Sequence, residues 1–552
     1  MRTMFLSLVF LSSNVFGFGQ SDIDVLHYKF NISLNDLNDT IHGLAEIKVK
    51  FLKPGSELSL DLAGVNSTGK GMKAGRIKLA DTSSEITYRL SGIKEKVEGI
   101  RAGNSVRGLI LEDKKIRIML AKPLKANDTV TIIIPYSGIP SDGLIISKTK
   151  YGHRSFFADN WPDRGHNWIP CHDDPADKAT VEFVITAPEH YQVVANGIQI
   201  EETSLGNNLR LTHWKEETPI STKVMVIGVA DFAVNLAGVV NGNIPVYSWV
   251  YPENKDKGFY DYEMAKDILP FFINSVGPYG YKKLANVQSK TRFGGLENAN
   301  TIFYSENSVS GTRKSEGLLA HEIAHQWFGN MATEKTFGHL WLSEGFATYF
   351  TILYFENKYG KDTAIKMLKE DRDQIIAYSK ESNKAIVDTG QTDFMKLLNV
   401  NSYQKGGWIL HMLRSQLGDS VFWRSIRKYY ATYAGGIADT RDLQKVFETV
   451  SGKNLSQFFD QWLYTTGQPQ LDITWRYNAA EKNLSIEGKQ LQKNVFRFPL
   501  LLKISNASGG ANEKVNVNSA TFSFKIKTDQ QPTSIIVDPG TELLMSSTIK
   551  EQ

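Results

Sequence analysis

The chain has one cysteine, Cys171, in 552 residues. No intrachain disulfide can form, so stability must come from core size. A lone cysteine of this kind reads as a small buried hydrophobe. Beyond the N-terminus there is no apolar run of about eighteen residues, which excludes a transmembrane helix of ordinary length there. The formal charge of +4 is small for this length, and no basic cluster stands out. The electrostatic footprint of a nucleic-acid-binding protein is therefore missing. Internal repeats and low-complexity linkers are missing too. What remains is 41% hydrophobic and 22% charged, the composition of an ordinary folded protein. It is too long for one core, and about two to four domains are expected.

The first residues have the pattern of a secretory signal. Arg2 is a positive start, residues 4–10 are mostly apolar, and Gly17 and Gly19 are the small residues preceding a cut before Gln20. Residues 1–19 are thus expected to be a signal peptide, with the protein exported to a periplasm or secreted. No cysteine lies beside the cut, which argues against a lipid anchor there.

From residue 20 to 242 the pattern is mainly strand. Residues 27–34, 45–51 and 129–134 alternate polar and apolar, with turn residues at short spacing, which predicts antiparallel sheets. From 243 to 467 the period becomes helical, starting near Tyr262. Predicted helices cover residues 315–331, 341–359, 363–378, 405–417, 421–433 and 440–450. Gly467-Gln468-Pro469 ends this region, and residues 468–552 return to alternating strands. Strands, then helices, then strands predict a multidomain α+β protein of three parts.

The chemistry concentrates in the helical part. His321-Glu322-Ile323-Ala324-His325 places two histidines one helical turn apart on one face. Eighteen residues separate His325 from Glu344. Two imidazoles and a carboxylate make a three-donor set for Zn²⁺ that leaves a fourth position for water, which marks a catalytic rather than a structural site. Glu322, on the same turn, is placed to take a proton from that water. The surrounding Leu319, Ala320, Ile323, Ala324, Trp327 and Phe328 are apolar, so polar groups among them need partners.

Four motifs occur in order: Gly294-Gly295-Leu296-Glu297-Asn298, the histidine pair with Glu344, Tyr403-Gln404-Lys405-Gly406, and Phe458-Phe459-Asp460-Gln461-Trp462. Upstream stands Ile169-Pro170-Cys171-His172-Asp173-Asp174-Pro175. Together they resemble the gluzincin aminopeptidases, the family of alanyl aminopeptidase and the bifunctional leukotriene hydrolase. The resemblance implies an N-terminal β domain, a thermolysin-like catalytic domain and a small C-terminal β-sandwich. It implies one Zn²⁺ per chain on His321, His325 and Glu344, and a zinc-bound water attacking with Glu322 as general base. Tyr403 would stabilise the oxyanion. Gly294 to Asn298 would bind substrate, with Glu297 on the free α-amine and the glycines admitting an extended peptide backbone. The expected partners are peptides with a free N-terminus.

One stretch departs from the pattern. Where many members carry Gln-x-Gln or Gln-x-Glu, this chain reads Phe157-Ala158-Asp159-Asn160-Trp161. A second amine anchor is therefore open, with Asp159 and Asn160 as candidates and turn residues as the alternative. Rival readings are a leukotriene-hydrolase-like epoxide hydrolase, a thermolysin-like endopeptidase, and an inactive interaction scaffold. An intact donor set and base argue against the last.

Overall fold

The computed structural model describes residues 22–80, 86–90, 93–97, 106–112 and 114–552. The expected signal peptide at residues 1–19 lies outside the described residues. No helix among the described residues is long and apolar enough to cross a membrane.

The N-terminal part is built on an eight-stranded sheet. Its centre is Ile23–Ser33, paired antiparallel with Ile41–Phe51 and parallel with Lys178–Pro188. Residues 45–51 keep the expected alternation, whereas residues 27–34 keep it only to Phe30 and are buried at every position from there on; Val25, Phe30, Ile47 and Val49 are fully buried. A second sheet of four strands carries Arg154–Ala158, which leads into the Asp159 to Trp161 turn.

The central part holds a feature that the helical period hides. A five-stranded sheet runs Ala233–Val240, Ile244–Val250, Leu284–Ser289, Thr301–Ser305 and, at its edge, Gly295–Leu296. Its first strand starts upstream of the boundary expected at 242/243. Leu284–Ser289 is buried at every position and Thr301–Ser305 at all but the last, so neither shows an alternating pattern. Helices follow: α1 (Glu316–Ala324), α2 (Trp341–Tyr359), and after Lys361–Tyr378, α3 (Gly406–Leu417). The C-terminal part has two sheets, of four and three strands, forming the expected small sandwich.

The helix predicted over 315–331 is shorter, ending as α1 at Ala324. His325 keeps helical angles, but the amide of Asn330 then bonds back to the His325 carbonyl at 3.1 Å and the chain turns. The turn bends the Phe328 carbonyl toward the His325 ring, which a continuing helix would not do.

The parts do not keep separate cores. Buried side chains from Ile23 to Met545 form one connected apolar cluster. Two lysines of the N-terminal part extend this contact into the central part. Lys178 Nζ donates to the carbonyls of Asn330, Met331 and Gly436 at 2.9, 2.8 and 3.0 Å. Lys223 forms a fully buried ion pair with Glu334. Removing one member of such a pair leaves the other charged in a dry interior. Lys223→Met should destabilise the protein by about 3–5 kcal/mol, read as earlier unfolding in denaturant. Lys223→Met combined with Glu334→Met should recover most of that loss. A single variant as stable as the parent would rule out the pair as an interdomain joint.

Candidate active site

The first donors come from the end of α1 and the third from the start of α2. His321 and His325 present Nε2 atoms 3.1 Å apart. Glu344 Oε2 stands 3.3 Å from each of them. A tetrahedral ion with bonds of about 2.0–2.1 Å holds its donors about 3.3 Å apart. The triangle therefore fits one Zn²⁺-sized ion, and these three residues are the one such group found among the described residues.

Outer partners fix His325. The Phe328 carbonyl can only accept, so at 3.1 Å it places the proton on His325 Nδ1 and leaves Nε2 for a metal. Ser343 Oγ lies 3.0 Å from the same Nδ1. Glu344 sits in the first turn of α2, where the helix dipole favours a carboxylate. The neighbouring Gly345 touches Gly406 backbone to backbone, and a Cβ on Gly345 would stand 2.8 Å from Gly406 Cα. That contact brings Glu344 and the turn bearing Tyr403 together. Tyr403 lies in a π-helical turn, Asn401–Lys405, just before α3, so the helix expected from 405 begins one residue later. Single π turns of this kind frequently occur at functional sites. Its ring stacks on His321 with centroids 5.9 Å apart and planes 11° apart.

The remaining expected residues, except Asn298, line the same cavity of about 390 Å³. Gly294, Gly295, Leu296 and Glu297 form one wall, facing Glu322 and the donor triangle. Gly294 has almost no neighbour where a Cβ would be, whereas a Cβ on Gly295 would collide with the Glu322 carboxyl. Gly295 is thus needed for the base to lie flat against the edge strand. Glu297 is 5% exposed, and its Oε1 has no hydrogen-bond partner among the described residues. Asn298 is fully buried behind this wall and does not line the cavity.

The electrostatics follow from burial. Burial raises the Glu322 carboxyl well above its usual range, with His325 opposing and Glu297 and Glu344 adding to the rise. Burial also raises Glu297, against the pull of His325. For Glu344 the imidazoles outweigh burial and hold the carboxyl well below its usual range. Burial likewise opposes the charged form of His325, but Glu344 and the other carboxylates outweigh it and push it up to about 10. Metal ligation must displace that proton, so affinity falls as pH is lowered. Burial and then Glu344, Glu297 and Glu322 push the Tyr403 phenol well above 10, so it stays a hydrogen-bond donor.

Neither candidate for a second amine anchor reaches the cavity. Asp159 is fully buried, pairs with Arg164, and accepts from the Arg292 amide at 3.0 Å and the Thr291 hydroxyl at 3.3 Å. Asn160 donates to the Thr222 and Met225 carbonyls and accepts from the Trp168 indole. Trp161 lines the cavity instead. Two further residues escaped the motif reading. Gln326 and Asn330 donate to the Glu297 carbonyl at 3.1 and 2.6 Å. Their signal was polar side chains inside an apolar stretch, which must find partners.

A helix-borne histidine pair, a glutamate from the next helix and an adjoining edge strand define a gluzincin-type metal centre. Residues 260–462 match the model of the peptidase family M1 domain, and residues 25–224 that of the peptidase M1 N-terminal domain. The chain belongs to the M1 peptidases. Aminopeptidase A of Gloydius brevicauda is 27% identical over 62% of this chain and 37% of its own length. Glutamyl aminopeptidase of Bitis rhinoceros is 27% identical over 60% of this chain and 36% of its own. The chain thus spans little more than a third of these two relatives. The structure of Legionella pneumophila aminopeptidase A in complex with aspartic acid matches 97% of this chain and 60% of that one, with a TM-score of 0.78 at 17% identity, which establishes the fold.

His321→Ala should fail to retain Zn²⁺ through dialysis. Gly295→Ala, which crowds Glu322 and touches no donor, should retain one Zn²⁺ per chain by elemental analysis. Stoichiometric Zn²⁺ in His321→Ala would remove that residue from the donor set.

Proposed function

We propose that the protein is a zinc aminopeptidase that hydrolyses the N-terminal residue from peptides with a free α-amine. The observation that carries this reading is Glu297. Its carboxylate is buried beside the donor triangle with an unpartnered oxygen, and its backbone is held in place from two side chains. Such a group calls for a cation, and a substrate ammonium is one. A carboxylate closing that end of the cavity also blocks longer N-terminal extensions, which separates this reading from endopeptidase action.

When bound, Zn²⁺ supplies a Lewis acid that polarises a carbonyl and lowers the pKa of water. The chain's own residues do the rest. An extended peptide adds along the edge strand Gly295–Leu296, with its ammonium on Glu297. Glu322, whose raised pKa suits a group that must accept and then return a proton, takes one from the attacking water and passes it to the leaving amine. Tyr403, held protonated, donates its O–H to the oxyanion as charge develops there. The presence of both base and donor set gives no support to a scaffold role, and nothing lining the cavity points to an epoxide. The pattern of Arg2 to Gln20 supports export to a periplasm or the medium; N-terminal sequencing of the protein from its native host should then begin at Gln20, and an intact Met1 start would refute it.

Free-amine aminoacyl-arylamides should be cleaved by the zinc-loaded protein and not after chelation, and N-acetylated versions not at all. Glu322→Gln should keep Zn²⁺ and lose hydrolysis. Tyr403→Phe should lose about 10²–10³ in kcat with little change in KM. Cleavage of the acetylated substrate would overturn the exopeptidase reading, and an active Glu322→Gln the assignment of the base.

A further inference from the structure

The cavity has a reaction end, made of the donor triangle, Glu322, Glu297 and Tyr403. The rest of its lining is apolar: Trp161, Phe293, Leu296, Leu318 and Leu398, with the two glycines. These side chains come from four separate stretches of chain, and aromatic contacts join the stretches that carry Trp161, Phe293 and Leu398. Trp161 packs edge-on against Phe293 and against Phe337, with centroids 6.0 Å apart in each case. Phe337 in turn packs on Phe394 at 4.6 Å, in the segment that carries Leu398.

Among the described residues, no lysine or arginine lines the cavity. The cations behind its wall are already neutralised. Arg164, which lies over Phe293, pairs with Asp159 and donates to the Trp161 carbonyl at 2.7 Å. Arg292 pairs with Asp142 at 2.5 Å, and Lys223 with Glu334. The charged groups that do face the cavity are carboxylates and the histidine donors.

Resting on the aminopeptidase reading, we infer that this site selects neutral, apolar N-terminal residues, aliphatic or aromatic, and rejects acidic ones, with Trp161 and Leu398 as specificity-determining residues. An acidic side chain would lose its water among apolar groups, find no cation, and face Glu297 and Glu322 at close quarters. A basic side chain would have only Glu297 and Glu322 to pair with, and both are engaged by the reaction. An apolar side chain loses nothing on entering and removes its own surface from water. The relatives named for glutamyl residues would therefore share this chain's reaction and differ in what they select.

The test is kcat/KM of the zinc-loaded full chain on the arylamides of leucine, methionine, phenylalanine, glutamate and arginine. The apolar three should exceed glutamate and arginine by about 100-fold or more, the scale on which a pocket discriminates when a polar group is left unpaired. Glutamate or arginine cleaved as well as leucine would overturn the inference while leaving the aminopeptidase reading intact. If no free-amine arylamide is cleaved, the aminopeptidase reading itself fails and this inference with it. Trp161→Ala should lower the phenylalanine-to-alanine ratio of kcat/KM about tenfold or more; an unchanged ratio would remove Trp161 from the wall. Trp161 is deeply buried, so Leu398→Arg provides a second arm at a half-buried position. It should raise the glutamate-to-leucine ratio at least about tenfold; an unchanged ratio would remove Leu398 from the wall.

Discussion

Three carboxylates, Glu297, Glu322 and Glu344, are buried together with two imidazoles in one cavity, and like charges so placed repel unless a cation is shared among them. Glu297 and Glu322 are raised by burial, and His325 carries a proton against Glu344. A divalent ion held by His321, His325 and Glu344 would take the place of that proton and supply the shared cation. The rest of the site follows from holding the donors where one ion can reach them. The Phe328 carbonyl and Ser343 orient His325, and the Gly345–Gly406 contact draws Glu344 and Tyr403 to the same side.

The Glu297 end of the cavity is tied to the donor triangle through the backbone. The turn that ends α1 supplies Gln326 and Asn330, and both grip the Glu297 carbonyl. Helix end and anchor therefore cannot move independently. Lys178, from the N-terminal part, caps the carbonyls of Asn330 and Met331 in the same turn. Asp159 holds Thr291 and Arg292, just before Gly294. The N-terminal part thus clamps the anchor segment from both sides, and the merged core makes the clamp rigid. Contacts of this kind keep Glu297 at a fixed distance from the donors, which the proposed removal of a single residue would require.

What could be read from the sequence was local. The histidine pair and Glu322 needed only the period of one helix, and Glu344 fell at the start of a helix whose limits, Trp341–Tyr359, matched the expected 341–359. The strands of the N-terminal sheet could be read because one face meets the core and the other water. Leu284–Ser289 and Thr301–Ser305 could not, because a strand buried on both faces has no alternation to reveal it. The early end of α1 was hidden for a related reason. Trp327 and Phe328 continue the apolar run, and only the bond from His325 to the Phe328 carbonyl shows why the helix must stop. Asp159 and Asn160 looked equally suited to binding or to structure, and long-range partners decided for structure.

The two ends of the cavity answer to different constraints. At the reaction end every residue is fixed by charge or by coordination, so the residue types recur as motifs at set spacings. The apolar wall has no such rule. Trp161 comes from a turn after one N-terminal strand, Phe293 from the approach to the edge strand, and Leu398 from a segment between two helices, and no spacing relates them. Each can change in size or charge without touching a donor, the base or the anchor. On the proposed reading, selection among N-terminal residues would be free to diverge while the hydrolytic machinery stays constant, and the motifs would tell the reaction but not the preferred residue. Among the described residues the wall of this chain carries no cation, and with three carboxylates in the same cavity that omission would be the dominant electrostatic fact for any side chain entering it.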